Sequence, residues 1–152
     1  MGVVMFYHLT RSGPEQALRP LMERALGQGW RIMIRTPSRE QRARLDERLW
    51  LHPEQSFLPH GLEGSEYDRD QPVLIGEGDA KNGAKGVILL DGAETSVEEA
   101  GSMERVWILF DGEDPAQLSK ARADWKRLTE AGLSAQYWSE ESGKWEKKAE
   151  KG

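Results

Sequence analysis

The groups able to do chemistry in this 152-residue chain are three histidines, 26 carboxylates and 21 lysines and arginines; there is no cysteine. Without cysteine there is no thiolate ligand, no thiol nucleophile and no disulfide, a composition that suits a reducing compartment. His52 and His60 stand either side of Pro53 and Pro59 rather than at the i, i+4 spacing of a helical metal pair, and no HExxH motif occurs. His8 closes an apolar run with no partner beside it, which reads as a structural histidine. No G-x-S-x-G nucleophile elbow is present. Nothing marks one carboxylate pair for acid–base work among so many.

Two glycine-bearing turns invite a phosphate. The first, His8-Leu9-Thr10-Arg11-Ser12-Gly13-Pro14, holds one glycine where a dinucleotide site uses three. The second, Gly76–Gly86, spaces Gly78 and Gly83 as a phosphate loop does, but the next residues are Ala84, Lys85 and Gly86. The lysine comes one place late, the magnesium-binding hydroxyl is missing, and a strand follows instead of the helix whose N-terminus would hold the anion.

The remaining pattern is cationic and aromatic. Residues 31–48 carry six arginines against three acids inside a chain of net charge −5, while residues 49–104 carry twelve acids against three bases. Such an arginine-rich helix is either a solvated face or a docking face for an anionic partner. On it Leu45 and Leu49 form an apolar seam, Trp50 lies about 100° away at its edge, and Arg44 and Arg48 share a flank. Later, Leu118, Ala121, Trp125 and Leu128 trace a helical stripe, bordered by Arg122 and Lys126 one turn apart. Phe110, just before that helix, can wall the same region. An aromatic between two cations suits a short acidic peptide with an apolar end and a free carboxylate; equally, Trp125 can be core and its cations solvated.

These side chains need elements to place them. Val3–Leu9 reads as a buried strand, and Pro14 opens a helix ending at Gly27–Gly29. Trp30–Arg35 reads as a second strand, and Thr36-Pro37 starts a helix running to about Leu51. This βαβα opening implies parallel strands in one sheet. Residues 52–71 read as a long irregular connection. Val73–Ile75 and Gly86–Leu90 read as strands, arranged as a hairpin through the Asn82-Gly83 turn. The acidic Glu94–Glu99 stretch has no clear assignment. Arg105–Phe110 is a strand, Asp114-Pro115 caps a helix ending at Ala131 with Gly132 beyond it, and Leu133–Ser139 closes the sheet. The expected fold is a three-layer α/β domain over residues 1–139, with a mostly parallel central sheet flanked by helices. Its topology is Rossmann-like without the nucleotide-binding glycine fingerprint. Residues 140–152 are expected as a charged tail, frayed or weakly helical. No run reaches the length of a membrane span, and MGVVMFYHLTRSG lacks the basic start and apolar centre of a secretory signal, so a cytoplasmic protein is expected.

Several of these residues together resemble the chi subunit family of the bacterial DNA polymerase III holoenzyme. The most specific stretch is RLDERLWLHPEQSFLPHGLEG, Arg44 to Gly64, with its LDxxLW…P..SF.PH.L pattern. FYHL (Phe6–Leu9), QPV (Gln71–Val73) and RADWKRLTEAGL (Arg122–Leu133) follow in the expected order, and residues 76–104 are the most diverged. The resemblance implies a non-catalytic, cofactor-free adaptor of the clamp-loader assembly. Its partner would be the acidic, Phe-ending C-terminal tail of single-stranded-DNA-binding protein, and a psi subunit would link it to the clamp loader. It carries the tail-binding positions onto Arg122, Trp125, Lys126 and Trp50. A further basic position of the family falls on Leu118 here, for which Lys120 is a candidate substitute. The tail site would lie in a cleft between the second and last helices. Two other readings compete: a nucleotide- or phosphate-binding α/β enzyme using the Gly76–Gly86 loop, and direct single-strand DNA binding through Trp50 and the arginines.

Overall fold

A computed structural model describes residues 2–11, 13–50, 60–64 and 68–152, without the side chains at 14, 15, 48–50 and 60. The elements run β1 (Val3–Leu9), α1 (Pro14–Gly27), β2 (Ile32–Arg35), α2 (Arg39–Trp50), β3 (His60–Leu62), β4 (Val73–Gly76), β5 (Gly86–Leu89), α3 (Val97–Ser102), β6 (Arg105–Asp111), α4 (Pro115–Glu130), β7 (Ser134–Ser139) and β8 (Glu146–Lys151). The eight strands form one sheet in the order β3-β4-β2-β5-β6-β1-β7-β8. Every pairing is parallel except β7 with β8. The three-layer α/β architecture read from the sequence is the observed one.

Alternation along the strands splits the core into two layers. Met5, Leu9, Ile32, Ile34, Trp107 and Leu109 face α1, with Leu45 of α2 in the same cluster. Val4, Phe6, Met33, Ile108 and Phe110 face the other way, with Ala121 and Leu128 of α4. Strands buried on both faces explain the unbroken apolar runs of β2, β4 and β5. Two helix starts carry the expected chemistry, but α2 does not open on Thr36-Pro37: it starts at Arg39, and Ser38 Oγ rather than Thr36 caps it, accepting from the Gln41 amide at 3.1 Å. Asp114 accepts from the amides of Ala116 and Gln117 at 2.9 and 3.4 Å, and Gly13 donates its amide to Gln16 Oε1 at 3.1 Å. Gly132, at φ +92°, ends α4 in the left-handed conformation that favours glycine.

Four further expectations are corrected. β4 and β5 are not a hairpin: both run parallel to β2, one on each side. The connection returns the chain to the amino end of the sheet, where buried Asn82 donates to Ile32 O at 3.0 Å and Gln71 O at 2.8 Å. The 52–71 connection contains a short strand, β3, on the edge beside β4. The lysine- and glutamate-rich end is neither frayed nor helical over Glu146–Lys151. It pairs antiparallel with β7 and occupies what would otherwise be an open edge. Finally, α2 and α4 pack on opposite faces of the sheet, so among the described residues their flanks do not meet in a cleft. The unassigned acidic stretch holds α3, capped by Ser96, whose Oγ accepts from the Glu99 amide at 3.0 Å.

Candidate partner-binding site

Helix α4 lies over β6 and β7 and turns Ala121, Asp124 and Leu128 inward. Trp125 falls at the edge of that seam, half-buried, while Arg122 and Lys126 are exposed on either side of it. Its indole stands edge-on to buried Phe6, centroids 5.3 Å apart, and to Tyr137 of β7 at 6.2 Å. Phe110, 3% exposed, lies behind this group. It stacks on His8 at 5.2 Å and leans on Tyr137 at 5.9 Å. Tyr137 Oη and His8 Nδ1 share a hydrogen bond of 2.9 Å. Four rings from three strands thus back Trp125, which stays half-buried.

The electrostatics single out two cations. Among the described residues, no hydrogen bond or ion pair engages the side chains of Arg122 and Lys126. Arg122 acts on Tyr137: burial pushes that hydroxyl above its ordinary pKa, the arginine charge pulls it back, and Glu141 pushes it up again. Lys120 is different. Its ammonium bridges Glu94 at 2.9 Å and buried Asp124 at 3.0 Å. Burial works against its charge, but the hydrogen bonds to Glu94 and Asp124 outweigh it and hold the pKa above the usual value. Arg127 completes this knot, donating to Asp124 at 3.2 Å and to Thr95 O at 3.0 Å. Lys120 is therefore committed to locking α4 onto the loop before α3.

Of the predicted site residues, Arg122, Trp125 and Lys126 come together at the surface with Phe110 as their buried backing. Trp50 ends α2, its side chain outside the described residues, as are residues 51–59 in the middle of the Arg44–Gly64 motif. Tyr137 and Phe6 were missed as members of the group. Phe6 lies within the quoted FYHL run, but only the sheet register brings β1 and β7 under α4.

The two phosphate-type turns hold the protein's own carboxylates. Glu140 accepts from the amides of Thr10 and Arg11 at 3.0 and 3.1 Å, filling the β1–α1 turn. Glu63 accepts from the amides of Glu77 and Gly78 at 2.7 and 3.1 Å, at the mouth of the glycine loop. Amides that could cradle a phosphate are occupied in both places. Beside the second turn, a cavity of about 490 Å³ is lined by Glu77, Asp79 and Glu94 and floored by Arg35. That guanidinium is bonded to Glu99 at 2.7 Å, so its charge is already matched.

The fold is a three-layer α/β domain with a mostly parallel sheet, and its two glycine-bearing turns are occupied by the protein's own Glu140 and Glu63. The family model for the DNA polymerase III chi subunit, HolC, matches residues 1–136, and the chain belongs to that family. It is similar to the DNA polymerase III subunit chi of Pseudomonas aeruginosa, with 34% identity over 82 residues, 52% of this chain and 56% of that protein, so this match spans little more than half of the relative. It is also similar to the Escherichia coli subunit chi, with 27% identity over 128 residues, 84% of this chain and 87% of that protein. Family membership supports an accessory role in DNA replication. Among the described residues no helix is long and apolar enough to cross a membrane.

Proposed function

We propose that this protein is a non-catalytic adaptor of the clamp-loader assembly of a replicative DNA polymerase. It binds the acidic C-terminal tail of single-stranded-DNA-binding protein on the outer flank of α4. Its link to the clamp loader would run through a psi subunit. The observation that carries the reading is the pair of exposed cations, Arg122 and Lys126, without an ion-pair partner among the described residues, bordering the half-exposed Trp125. The terminal carboxylate pairs with Arg122, the apolar end of the tail packs on Trp125 and Tyr137, and the preceding acids face Lys126. Phe110 and Phe6 hold the platform from behind, and Lys120 positions α4 without touching the tail.

The magnitudes suffice for a transient contact. One buried apolar anchor contributes about 1.5–3 kcal/mol, and one charge-assisted hydrogen bond about 1.5–3 kcal/mol. Two or three such contacts, less ordering, reach micromolar affinity at about −8 kcal/mol. Arg122→Ala is expected to weaken binding of a tail peptide by about 1.5–3 kcal/mol, read by titration calorimetry. Unchanged affinity would remove Arg122 from the site.

A further inference from the structure

On the α1 side of the sheet, α1 packs over β2 and β6, and no described helix packs closely on β7 or β8. That open area carries aromatic side chains. Tyr7 and Trp138 are register partners on β1 and β7. Trp145, from the turn before β8, stands edge-on to Tyr7 at 5.1 Å and 86° and is 37% exposed. The indole N–H of Trp138 is satisfied within the face by Gln136 Oε1 at 3.0 Å, so the ring itself is what it offers.

Three arginines rim these rings. Arg24 of α1 and Arg105 of β6 both lie close enough to act on the Tyr7 hydroxyl. Neither has an ion-pair partner among the described residues, and Arg105 Nε is buried with no hydrogen-bond acceptor. Arg11 donates to the backbone carbonyl of Glu141 at 3.3 Å and has no ion-pair partner among the described residues. Two nearby acids have cationic partners of their own: Glu150 with Lys147 at 3.0 Å and Glu23 with Arg19 at 3.7 Å.

We propose that this face binds single-stranded nucleic acid, with bases stacking on Trp145 and Trp138 and phosphates seated on Arg11, Arg24 and Arg105. A single strand carries one negative charge per stacking ring, which is the pattern of rings and unpaired cations displayed here, and sheet faces bearing aromatics are suited to unstacked bases. The net charge of −5 repels polyanions at long range, so the contact is weak and confined to low salt or to a strand already held nearby. The face lies across the sheet from Trp125, so it is separate from the proposed tail site.

Anisotropy of a labelled oligothymidylate of about 20 nucleotides, titrated with the full chain at about 20 and about 200 mM salt, tests this. Saturable binding of micromolar order is expected at the lower salt, weakened at least about tenfold at the higher. Trp145→Ala and Arg24→Glu are each expected to weaken it about tenfold. Arg122→Ala, on the other face, should leave it unchanged. Arg24 is exposed on α1, so its substitution leaves the fold intact and keeps the test valid even where Trp145→Ala lowers stability. No binding at low salt, binding that survives both substitutions, or tighter binding of an acidic aromatic peptide at the same residues would overturn the proposal.

Discussion

Lys120 and Lys126 lie on the same helix, yet their surroundings assign them different work. Lys120 bridges Glu94 and buried Asp124, whereas Lys126 faces solvent with no partner among the described residues. Lys120→Met is therefore expected to lower folding stability by about 1–2 kcal/mol with little change in tail-peptide affinity. Lys126→Met should do the reverse, weakening the peptide by about 0.5–1.5 kcal/mol at unchanged stability. Paired denaturation and titration experiments separate the two. A second residue-scale test concerns Glu99. The Arg35 guanidinium bonded to it holds its carboxyl below the ordinary value, against the opposing effect of burial and with help from the Thr95 hydroxyl. A carboxyl depressed in the folded state adds stability that is fully present above its unfolded pKa and is lost as pH falls through the folded one. Urea denaturation should therefore show stability dropping as pH falls below about 4.5, and Glu99→Gln should flatten that drop while lowering stability at neutral pH.

Elements whose fate is set by local chemistry were legible from sequence; those set by distant pairing were not. Runs such as Val3–Leu9 and Arg105–Asp111, and the Asp114-Pro115 start of α4, announce themselves through apolar composition and capping. β8 does not, because Glu146–Lys151 is nearly all charged and becomes a strand only by completing the edge of β7. Its lysines then protect the new edge from further pairing. Truncation after Ser142 removes β8 and Trp145 and is expected to lower the melting temperature by several degrees and to promote association through β7. Tail-peptide affinity should persist, because α4 rests on β6 and β7, which the truncation leaves in place. Thermal melts, light scattering and one titration check all three outcomes. For the site, helical spacing identified Arg122, Trp125 and Lys126 as neighbours. It could not reveal the engagement of Lys120 by Glu94, which depends on how the loop before α3 docks on α4.

At the scale of the molecule, helical periodicity says which flank of a helix is buried but not on which side of a sheet the helix sits. That is why a cleft between α2 and α4 looked reasonable from sequence, while the described residues of the two helices lie on opposite faces. The same sheet explains the absence of free anion cradles at the two glycine-bearing turns, since Glu140 and Glu63 close the amides that relatives of this topology offer to phosphates. What it presents instead on α4 is a small aromatic surface with unmatched positive charge, in a chain otherwise rich in acids. If such a surface takes a short acidic terminus as proposed, binding should weaken as salt rises because exposed cations are screened. The most direct measurement is calorimetric titration with a tail peptide bearing a free C-terminal carboxylate, set beside the same peptide ending in a carboxamide. The account predicts micromolar binding of the free acid and at least about tenfold weaker binding of the amide. Equal affinity of the two peptides, or no binding of either, would contradict it.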